Sequence, residues 1–480
     1  APSERLYVSW PINSSDGTQK QPSSLVSEIS ALFPHCPVES EMTLPESYFA
    51  GSKKAAFELL ARRWNHKTAV ESSLRELFSK TGEEARMNAL EKASKKEAAV
   101  FQNSENAQKI FPKNMRVSAT QIETYHQCRF RYFCRYGMNV EERRMAKLDA
   151  LEYGSLMHYL LEHLIREIGA EKILKMGQQG LRENVDQQLL SYAQEKLGGT
   201  ETQTARFSWL LQRVAEAACV VIWHIAEELS QSRFSPTDFE LPVGQSEIPG
   251  LKISLSDGGS VEVDGKIDRV DADEIDGNTY LRVVDYKTGK KMFRLSDILD
   301  GTNLQMLIYL AALCENGSPY WKNPKPAGIL YMPADRPALI AGRKTDDETI
   351  QKDQDKKLRM NGLLLDDPGI LSDMEEDGKG TYIPAALKNG APTAKSSVVS
   401  SKDFELILQS IRKMIKEMAE ELHRGNVEAQ PLKDRDTACK WCPYGAVCMT
   451  EEGMPVRETK SDVSVTEAVE ILRRGESDET

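Results

Sequence analysis

The feature that most constrains the fold of this chain is a change of hydrophobic period near Leu251. Upstream, through about residue 231, apolar side chains recur every three to four residues, as they do on one face of a helix. Downstream they alternate with polar residues, which is the period of a strand. The predicted strands cover 251–255, 261–268 and 280–287. Long helices followed by adjacent strands indicate a chain that contains both helices and a sheet.

The segments around these strands predict a hairpin and further helices and strands. Asp276-Gly277-Asn278 is typical of hairpin turns, so the second and third strands should pair with each other. The other predictions are a loop over 232–249, a helix near 303–313, a strand at 328–332, a long polar insertion over 344–400 and a final helix over 401–424.

The N-terminal part of the chain is predicted to be mainly helical. Residues 53–108 are rich in Ala, Glu, Lys and Leu and contain no proline. A new helix is predicted to begin near Ser118 or Thr120, with Glu123 completing a capping box. Leu6–Trp10 is predicted to be a buried strand, and the sequence starts with Ala1 rather than Met. We therefore expect this chain to be a fragment of a longer protein.

Composition is that of an ordinary soluble protein. With 480 residues, 40% hydrophobic and 28% charged, the chain is long enough for about two to four domains. It contains no run of about 18 apolar residues, and its start lacks the pattern of a secretory signal. A cytoplasmic protein without a membrane partner is the expectation.

The net charge of the chain argues against nucleic-acid binding by a uniformly basic surface. A net charge of −11 argues against a uniformly basic surface. Residues 51–116 nevertheless contain 14 Lys and Arg against 8 Glu and no Asp. A local basic path therefore stays compatible with the composition.

Two of the predicted strands carry acidic residues that can meet. In the strand 261–268, alternation puts Asp268 on the face opposite the valines, and on the next strand Asp285 and Lys287 share a face. If the hairpin pairs these strands, Asp268 and Asp285 can bind one ion, and two carboxylates suit Mg²⁺. Lys287 could orient or deprotonate an attacking water, or neutralise charge on a phosphate. An ordinary solvated strand face is the alternative.

The neighbouring motifs resemble a known nuclease core. Gly265-Lys-Ile-Asp-Arg269, Val284-Asp-Tyr-Lys-Thr-Gly289 and Gln305-x-x-x-Tyr309 together resemble the PD-(D/E)xK (restriction-endonuclease-like) core in its RecB-like form. The resemblance implies that Gln305 and Tyr309, four apart on one helix face, contact DNA beside the metal. Gly154-x-x-x-His158 resembles the motif in which the histidine is a further metal ligand, and the Tyr286 carbonyl is an additional candidate.

The cysteines form a second constellation. Cys439, Cys442 and Cys448 follow a C-x₂-C-x₅-C spacing, which leaves a tetrahedral centre one ligand short. Cys128 is the natural candidate for the fourth thiolate. Cys134 and Cys219 remain alternatives, because either would also complete the count of four. A Cys₄ zinc site is the rival of an iron–sulphur cluster at this stage.

The order of these cysteines resembles the iron–sulphur staple of AddB-type subunits of bacterial ATP-dependent helicase-nucleases. One cysteine before the nuclease core and C-x₂-C-P-x₄-C after it then imply a [4Fe–4S] cluster on Cys128, Cys439, Cys442 and Cys448, with a structural role. Arg129 departs from the proline that often follows the first cysteine in that family. The sequence lacks a Gly-x-x-x-x-Gly-Lys-[Ser/Thr] loop, so the resemblance places the motor in an AddA-like helicase partner.

The resemblance also implies a fold, a domain plan and a function. The fold would be α/β, with a mixed sheet flanked by helices. Residues 1–112 would be the helical remnant of a helicase-like core, 113–460 the nuclease domain and 461–480 an acidic tail with a short helix. The implied function is a Mg²⁺-dependent DNA exonuclease that processes double-strand break ends for recombinational repair, acting on single-stranded and unwound duplex DNA. A catalytically inactive DNA-binding module and a stand-alone Cas4-type [4Fe–4S] nuclease are the alternatives.

Overall fold

The fold is that of a computed structural model of the chain. It describes residues 4, 6–13, 18–94, 100–101, 103–141, 150–196, 205–244, 248–289, 292–339, 346–433, 438–440, 442–448, 456–460 and 463–477. The chain forms two compact units, residues 1–97 and residues 98–480. The predicted boundaries at 112 and 460 stay predictions.

The described part of the first unit is helical, as predicted. Its core contains Phe57, Leu60, Leu74 and Phe78. The prediction of a buried strand at Leu6–Trp10 is wrong: these residues form no strand, and Tyr7 is 83% exposed. The helices are α1 (Ser24–Leu32), α2 (Glu46–Phe49), α3 (Lys53–Arg62), α4 (Ala69–Lys80) and α5 (Glu84–Ser94).

The second unit contains the strands and the remaining helices. Its helices are α6 (Ser104–Ile110), α7 (Ala119–Gln127), α8 (Arg129–Tyr132), α9 (Ala150–Ile168), α10 (Ala170–Lys196), α11 (Ala205–Gln231), α12 (Gln305–Asn316), α13 (Asp347–Leu358), α14 (Pro368–Met374), α15 (Ser401–His423), α16 (Gly445–Cys448) and α17 (Val465–Ser477), with a π-helical turn at Phe133–Gly137 and a 3₁₀ helix at Leu295–Asp300. Its strands are β1 (Asn114–Ser118), β2 (Ser235–Val243), β3 (Leu251–Ser254), β4 (Ser260–Ile275), β5 (Asn278–Lys287), β6 (Pro324–Pro333), β7 (Asn361–Leu365), β8 (Leu387–Lys388), β9 (Ala391–Pro392), β10 (Val398–Val399), β11 (Leu432–Lys433) and β12 (Arg457–Glu458).

One mixed sheet of eight strands organises the second unit, which confirms the predicted α/β fold. The strand order is β1-β4-β5-β6-β7-β10, and β2 and β3 also pair with β4. The β1–β4, β5–β6 and β7–β10 pairs are parallel, whereas the β4–β5 and β6–β7 pairs are antiparallel. Helix α12 packs against β5 and β6, and α9 contacts β2 and β4.

The predicted hairpin is formed by β4 and β5. Asp276 and Gly277 both have positive φ, of 50° and 77°, which is the conformation of a two-residue hairpin turn. The apolar side chains of β4 at Val261, Val263 and Ile267 are buried, as the alternation predicted. The hairpin therefore presents the opposite face of β4 to the candidate site.

Two predictions about connecting segments are wrong. Residues 232–249 are not simply a loop, because β2 pairs antiparallel with β4. The described part of the predicted polar insertion, residues 346–400, is not simply an insertion, because its strand β7 pairs with β6 in the main sheet. In the first segment two prolines obscure the strand, which an edge strand tolerates. In the second, the apolar run of β7 is too short to stand out among polar residues.

Helix α11 is apolar and long, but the core of the second unit explains its composition. Its stretch Ser208–Gln231 is the one candidate membrane span among the described residues. Half of the most apolar part of this stretch is buried. Val214, Ala218, Val221 and Ile225 belong to the main hydrophobic core. A buried core helix has the same composition as a membrane span.

Candidate active site

The hairpin brings the two predicted aspartates together. Arg269 lies opposite Val284, so Asp268 and Asp285 occupy the next positions on the two strands. The Tyr286 backbone N–H donates a 2.8 Å hydrogen bond to Asp268 Oδ2. Asp285 is 4% exposed. The strand pairing thus fixes two carboxylates side by side in a largely buried place.

His158 reaches the same place from α9. Its Nε2 donates to the Tyr286 carbonyl oxygen at 2.9 Å, and its Nδ1 lies 3.4 Å from Asp268 Oδ2. The imidazole ring also meets the Tyr286 ring edge-on, with 5.8 Å between centroids. All four predicted metal ligands are therefore gathered within one site, although their role as ligands stays a prediction.

Lys287 and Gln305 both contact Asp285. Lys287 Nζ lies 2.5 Å from Asp285 Oδ2, and Gln305 Nε2 donates to Asp285 Oδ1 at 3.3 Å. Tyr309 is buried, and a Cβ atom added to Gly265 would lie 2.0 Å from its hydroxyl oxygen. This close approach lets α12 pack against β4 beside the aspartates. Contact of Gln305 or Tyr309 with DNA stays a prediction.

Glu240 is a site residue that the sequence did not predict. Its Oε1 lies 3.8 Å from His158 Nδ1, and its other oxygen pairs with Lys266. His158, Glu240 and Asp268 form a group whose ligand atoms all lie within 4.8 Å of one another. Glu240 has a positive φ of 51° on β2, which few residues other than glycine adopt. The alternation of Phe239 and Leu241 with polar neighbours was the signal that could have revealed it.

The electrostatics of the site indicate that it needs positive charge. Burial, and then the nearby Asp268 carboxylate, raises the pKa of Asp285 to about 6. Burial alone would lower the pKa of His158, but hydrogen bonds to Asp268 and Glu240 raise it to about 10. Hydrogen bonds from His158 and Lys266 lower the pKa of Glu240 against the effect of its burial. Carboxylates held this close fit a divalent cation with oxygen ligands.

A buried ionic network joins the two strands of the hairpin to α11. Arg282 donates to Asp271 at 2.7 Å and to Glu228 at 2.6 Å, and Arg269 pairs with the same two carboxylates at 2.8 and 3.4 Å. All four side chains are at most 2% exposed. Arg269 Nη1 also donates to the Tyr286 hydroxyl at 3.4 Å. The network therefore braces the paired segments of β4 and β5, which carry Asp268 and Tyr286 respectively.

Four cysteines line one small cavity. Cys128, Cys439, Cys442 and Cys448 all contribute to its wall, and its volume is about 180 Å³. Cys134 lies close by, outside the lining. Burial raises its pKa to about 11, and the nearby thiols Cys442 and Cys448 act in the same direction. The Tyr444 hydroxyl donates to the Val140 carbonyl at 2.6 Å, which ties the two cysteine-bearing segments together.

The fold and these motifs define a class of enzyme. The profile of the PD-(D/E)XK nuclease superfamily matches residues 116–449, and the chain belongs to this superfamily. The match spans the sheet, the hairpin and all four cysteines of the cavity.

The curated relatives are more specific, and each is named as the B-type subunit of an ATP-dependent helicase/deoxyribonuclease. The chain is 30% identical, over 473 residues, to the relative from Thermoanaerobacter sp. (strain X514), covering 94% of this chain and 41% of that protein. It is 31% identical over 475 residues to the relative from Acetivibrio thermocellus, with the same two coverages. For Clostridium acetobutylicum the identity is 28%, over 99% of this chain and 44% of the relative. The chain thus spans about two fifths of the length of these curated relatives.

The raised pKa of Asp285 predicts a pH-dependent stability. Because this pKa rises from 3.8 in the unfolded chain to about 6 in the folded one, the free energy of unfolding of the metal-free protein should fall between about pH 4 and pH 6 and stay lower above. Asp285→Asn removes that loss. We expect the variant, in EDTA at pH 8, to be more stable than the parent by about 1 to 3 kcal/mol.

Urea unfolding at pH 8 and at pH 5 measures this difference, which should shrink at the lower pH. A variant that is less stable than the parent at pH 8 would contradict the electrostatic account of the site.

Proposed function

We propose that this chain is the nuclease part of a larger B-type helicase/deoxyribonuclease protein, and that it hydrolyses DNA phosphodiesters with Mg²⁺. The observation that carries the proposal is the convergence of His158, Asp268 and Asp285 beside Lys287, each fixed by a different contact of the fold. The names of the relatives support the substrate class.

The ligand set fits Mg²⁺ better than a softer metal. Asp268, Asp285 and the Tyr286 carbonyl would supply hard oxygen ligands, with His158 completing the set and Glu240 within reach. A bound Mg²⁺ would polarise the scissile phosphate and lower the pKa of a water. His158 must release a proton before either of its nitrogens can bind the ion. Metal binding should therefore release protons.

Lys287 is the residue placed to act on the reaction itself. Its side chain is about a quarter exposed, and its ammonium group is paired with Asp285. In that position it would orient the attacking water or neutralise charge on the phosphate. Gln305 holds the second oxygen of Asp285 and so keeps this carboxylate in one orientation.

The four cysteines would hold a [4Fe–4S] cluster. The cavity of about 180 Å³ is far larger than the roughly 15 Å³ that one water needs, so it has room for more than a single ion. Cys128 lines this cavity, whereas Cys134 does not. The size of the cavity favours the cluster over a lone zinc. Its lining favours Cys128 over Cys134 as the fourth ligand.

The names of the relatives support a proposal for the setting of the activity. We infer that the chain works with an AddA-like helicase partner that delivers single-stranded DNA from unwound duplex ends. Exonucleolytic processing of double-strand breaks in the cytoplasm is the corresponding biological role. The length of the relatives supports a larger protein around this nuclease.

The test of the function is cleavage of end-labelled single-stranded DNA by the purified chain. We expect Mg²⁺-dependent degradation that EDTA abolishes, because phosphoryl transfer at this site requires a cation among the carboxylates. A circular single strand of the same composition is the matched control and should resist an exonuclease. Binding of DNA without cleavage in Mg²⁺ or Mn²⁺ would favour the inactive DNA-binding module instead.

A further inference from the structure

The first turn of α12 is capped by another helix. The Leu304 backbone N–H, at the start of α12, donates to Glu123 Oε1 at 3.0 Å. Leu304 has no side chain that could cap its own helix, and a carboxylate at a helix N-terminus is favourable for the helix dipole. Glu123 does not close the capping box of its own helix; Gln121 does so with Ser118. Its carboxylate therefore serves α12.

The turn that Glu123 caps carries residues of the candidate active site. Gln305 is the first residue of α12 and holds Asp285. Tyr309 follows one turn later and packs against Gly265 of β4. A displacement of this turn would therefore move the amide that orients Asp285.

The cap lies on the helix that leads to the cysteine cavity. Helix α7 ends at Gln127, and the backbone N–H of Cys128 still donates to Thr124 at 3.0 Å. Glu123 and Cys128 are five residues apart, about 7.5 Å along a helix. Cys128 itself has extended backbone angles, φ −168° and ψ 121°, and directly follows the helix that carries the cap.

A second contact joins the same two regions. The His126 ring, on the last turn of α7, lies where a Cβ atom of Gly301 would stand, 2.2 Å away. The His126 carbonyl accepts a hydrogen bond from Arg457, and the Lys460 backbone N–H donates to Asp300 at 2.9 Å. The loop before α12 is therefore held both by the segment before Cys128 and by the segment that follows Cys448.

We propose that the four-cysteine centre sets the position of the first turn of α12, and through Gln305 the orientation of Asp285, with Glu123 as the positioning residue. This inference rests on the proposed function, since it takes the cysteines to hold a cluster and the aspartates to hold a metal ion. The cluster would then affect the orientation of a predicted metal ligand, in addition to holding distant segments of the chain together.

The test measures two quantities that do not depend on DNA cleavage. Hydrogen exchange is followed for the amides of residues 304–309, and Mn²⁺ binding is followed by titration, on anaerobically purified protein. Glu123→Ala should keep its iron, speed exchange in 304–309 about fivefold and weaken Mn²⁺ binding by a similar factor, the size expected for loss of a helix cap. Cys128→Ser should lose its iron and show the same two changes.

Asp367→Ala is the matched control. Asp367 caps α14 by accepting hydrogen bonds from Gly369 and Ile370, so its loss removes a carboxylate cap from a helix that carries no predicted site residue. We expect no change in residues 304–309 or in Mn²⁺ affinity. If Glu123→Ala fails to fold, Glu123→Gln keeps the shape and should give smaller changes of the same sign.

The outcomes separate this inference from the proposed function. If Cys128→Ser loses its iron while exchange in 304–309 and Mn²⁺ affinity match the parent, the cluster does not position α12 and the inference is overturned. If the parent protein binds no Mn²⁺, the proposed function has failed, and the exchange comparison alone decides the link between the cysteines and α12.

Discussion

Lys287→Ala should lower the rate of DNA cleavage by about 10²- to 10⁴-fold, the range typical of a group that acts on a proton or charge in the transition state. Its ammonium group contacts Asp285 at the end of β5 and takes no part in the hydrophobic core, so the fold should persist. Single-turnover cleavage of labelled single-stranded DNA at saturating Mg²⁺ measures the effect. The assay belongs at pH 8 or above, because Lys287 lowers the pKa of Asp285 and its loss shifts that pKa upward.

Lys252→Ala provides the control for this experiment. Lys252 is an exposed lysine of β3 in the same sheet, so its removal changes the net charge equally. We expect its rate to stay within a factor of about two of the parent, as for a surface substitution. Parent-like cleavage by Lys287→Ala would remove this lysine from the mechanism.

Cys128→Ala should abolish the metal centre and loosen the second unit. Anaerobically purified parent protein should be brown, with about four irons per chain, and the variant should lose both. A link between positions 311 residues apart constrains the unfolded chain strongly, and on the loop-entropy scale its loss corresponds to about 6 kcal/mol. Iron analysis, absorbance and limited proteolysis measure these effects.

Cys134→Ala is the matched control for the cluster. Cys134 is also buried and lies near Cys442 and Cys448, but outside the cavity lining. The variant should keep its iron and its colour. Stoichiometric zinc without iron in the parent protein, or colour that survives in Cys128→Ala, would mean that the metal or the fourth ligand has been assigned wrongly.

The fold was predictable where one local pattern determined an element. The alternation in β4 and the turn at Asp276 and Gly277 were enough to predict the hairpin, since both are local. Strand β7 was missed because its place depends on pairing with β6, which no local pattern encodes. The two prolines of β2 hid a strand whose identity is fixed by its long partner β4.

The candidate site shows the same division. Asp268 and Asp285 could be paired from the hairpin register, and His158 was reached only through the resemblance of its motif. Glu240 was missed because it lies on β2, a strand that the sequence analysis predicted as a loop. The ionic network of Arg269 and Arg282 was missed because charged residues in strands usually face solvent, and their burial follows from tertiary packing.

The long separation between Cys128 and its three companions has a consequence for biosynthesis. A ribosome that adds 5 to 20 residues per second needs roughly 15 to 60 seconds to proceed from Cys128 to Cys439. Strand β1 is likewise synthesised before β4, its parallel partner, so the two strands can pair only later. During this interval the nascent chain exposes a thiol that the finished protein buries. If the four cysteines hold the proposed cluster, its assembly can be completed only late in translation or after it, and the Cys128 thiol would be open to oxidants until then.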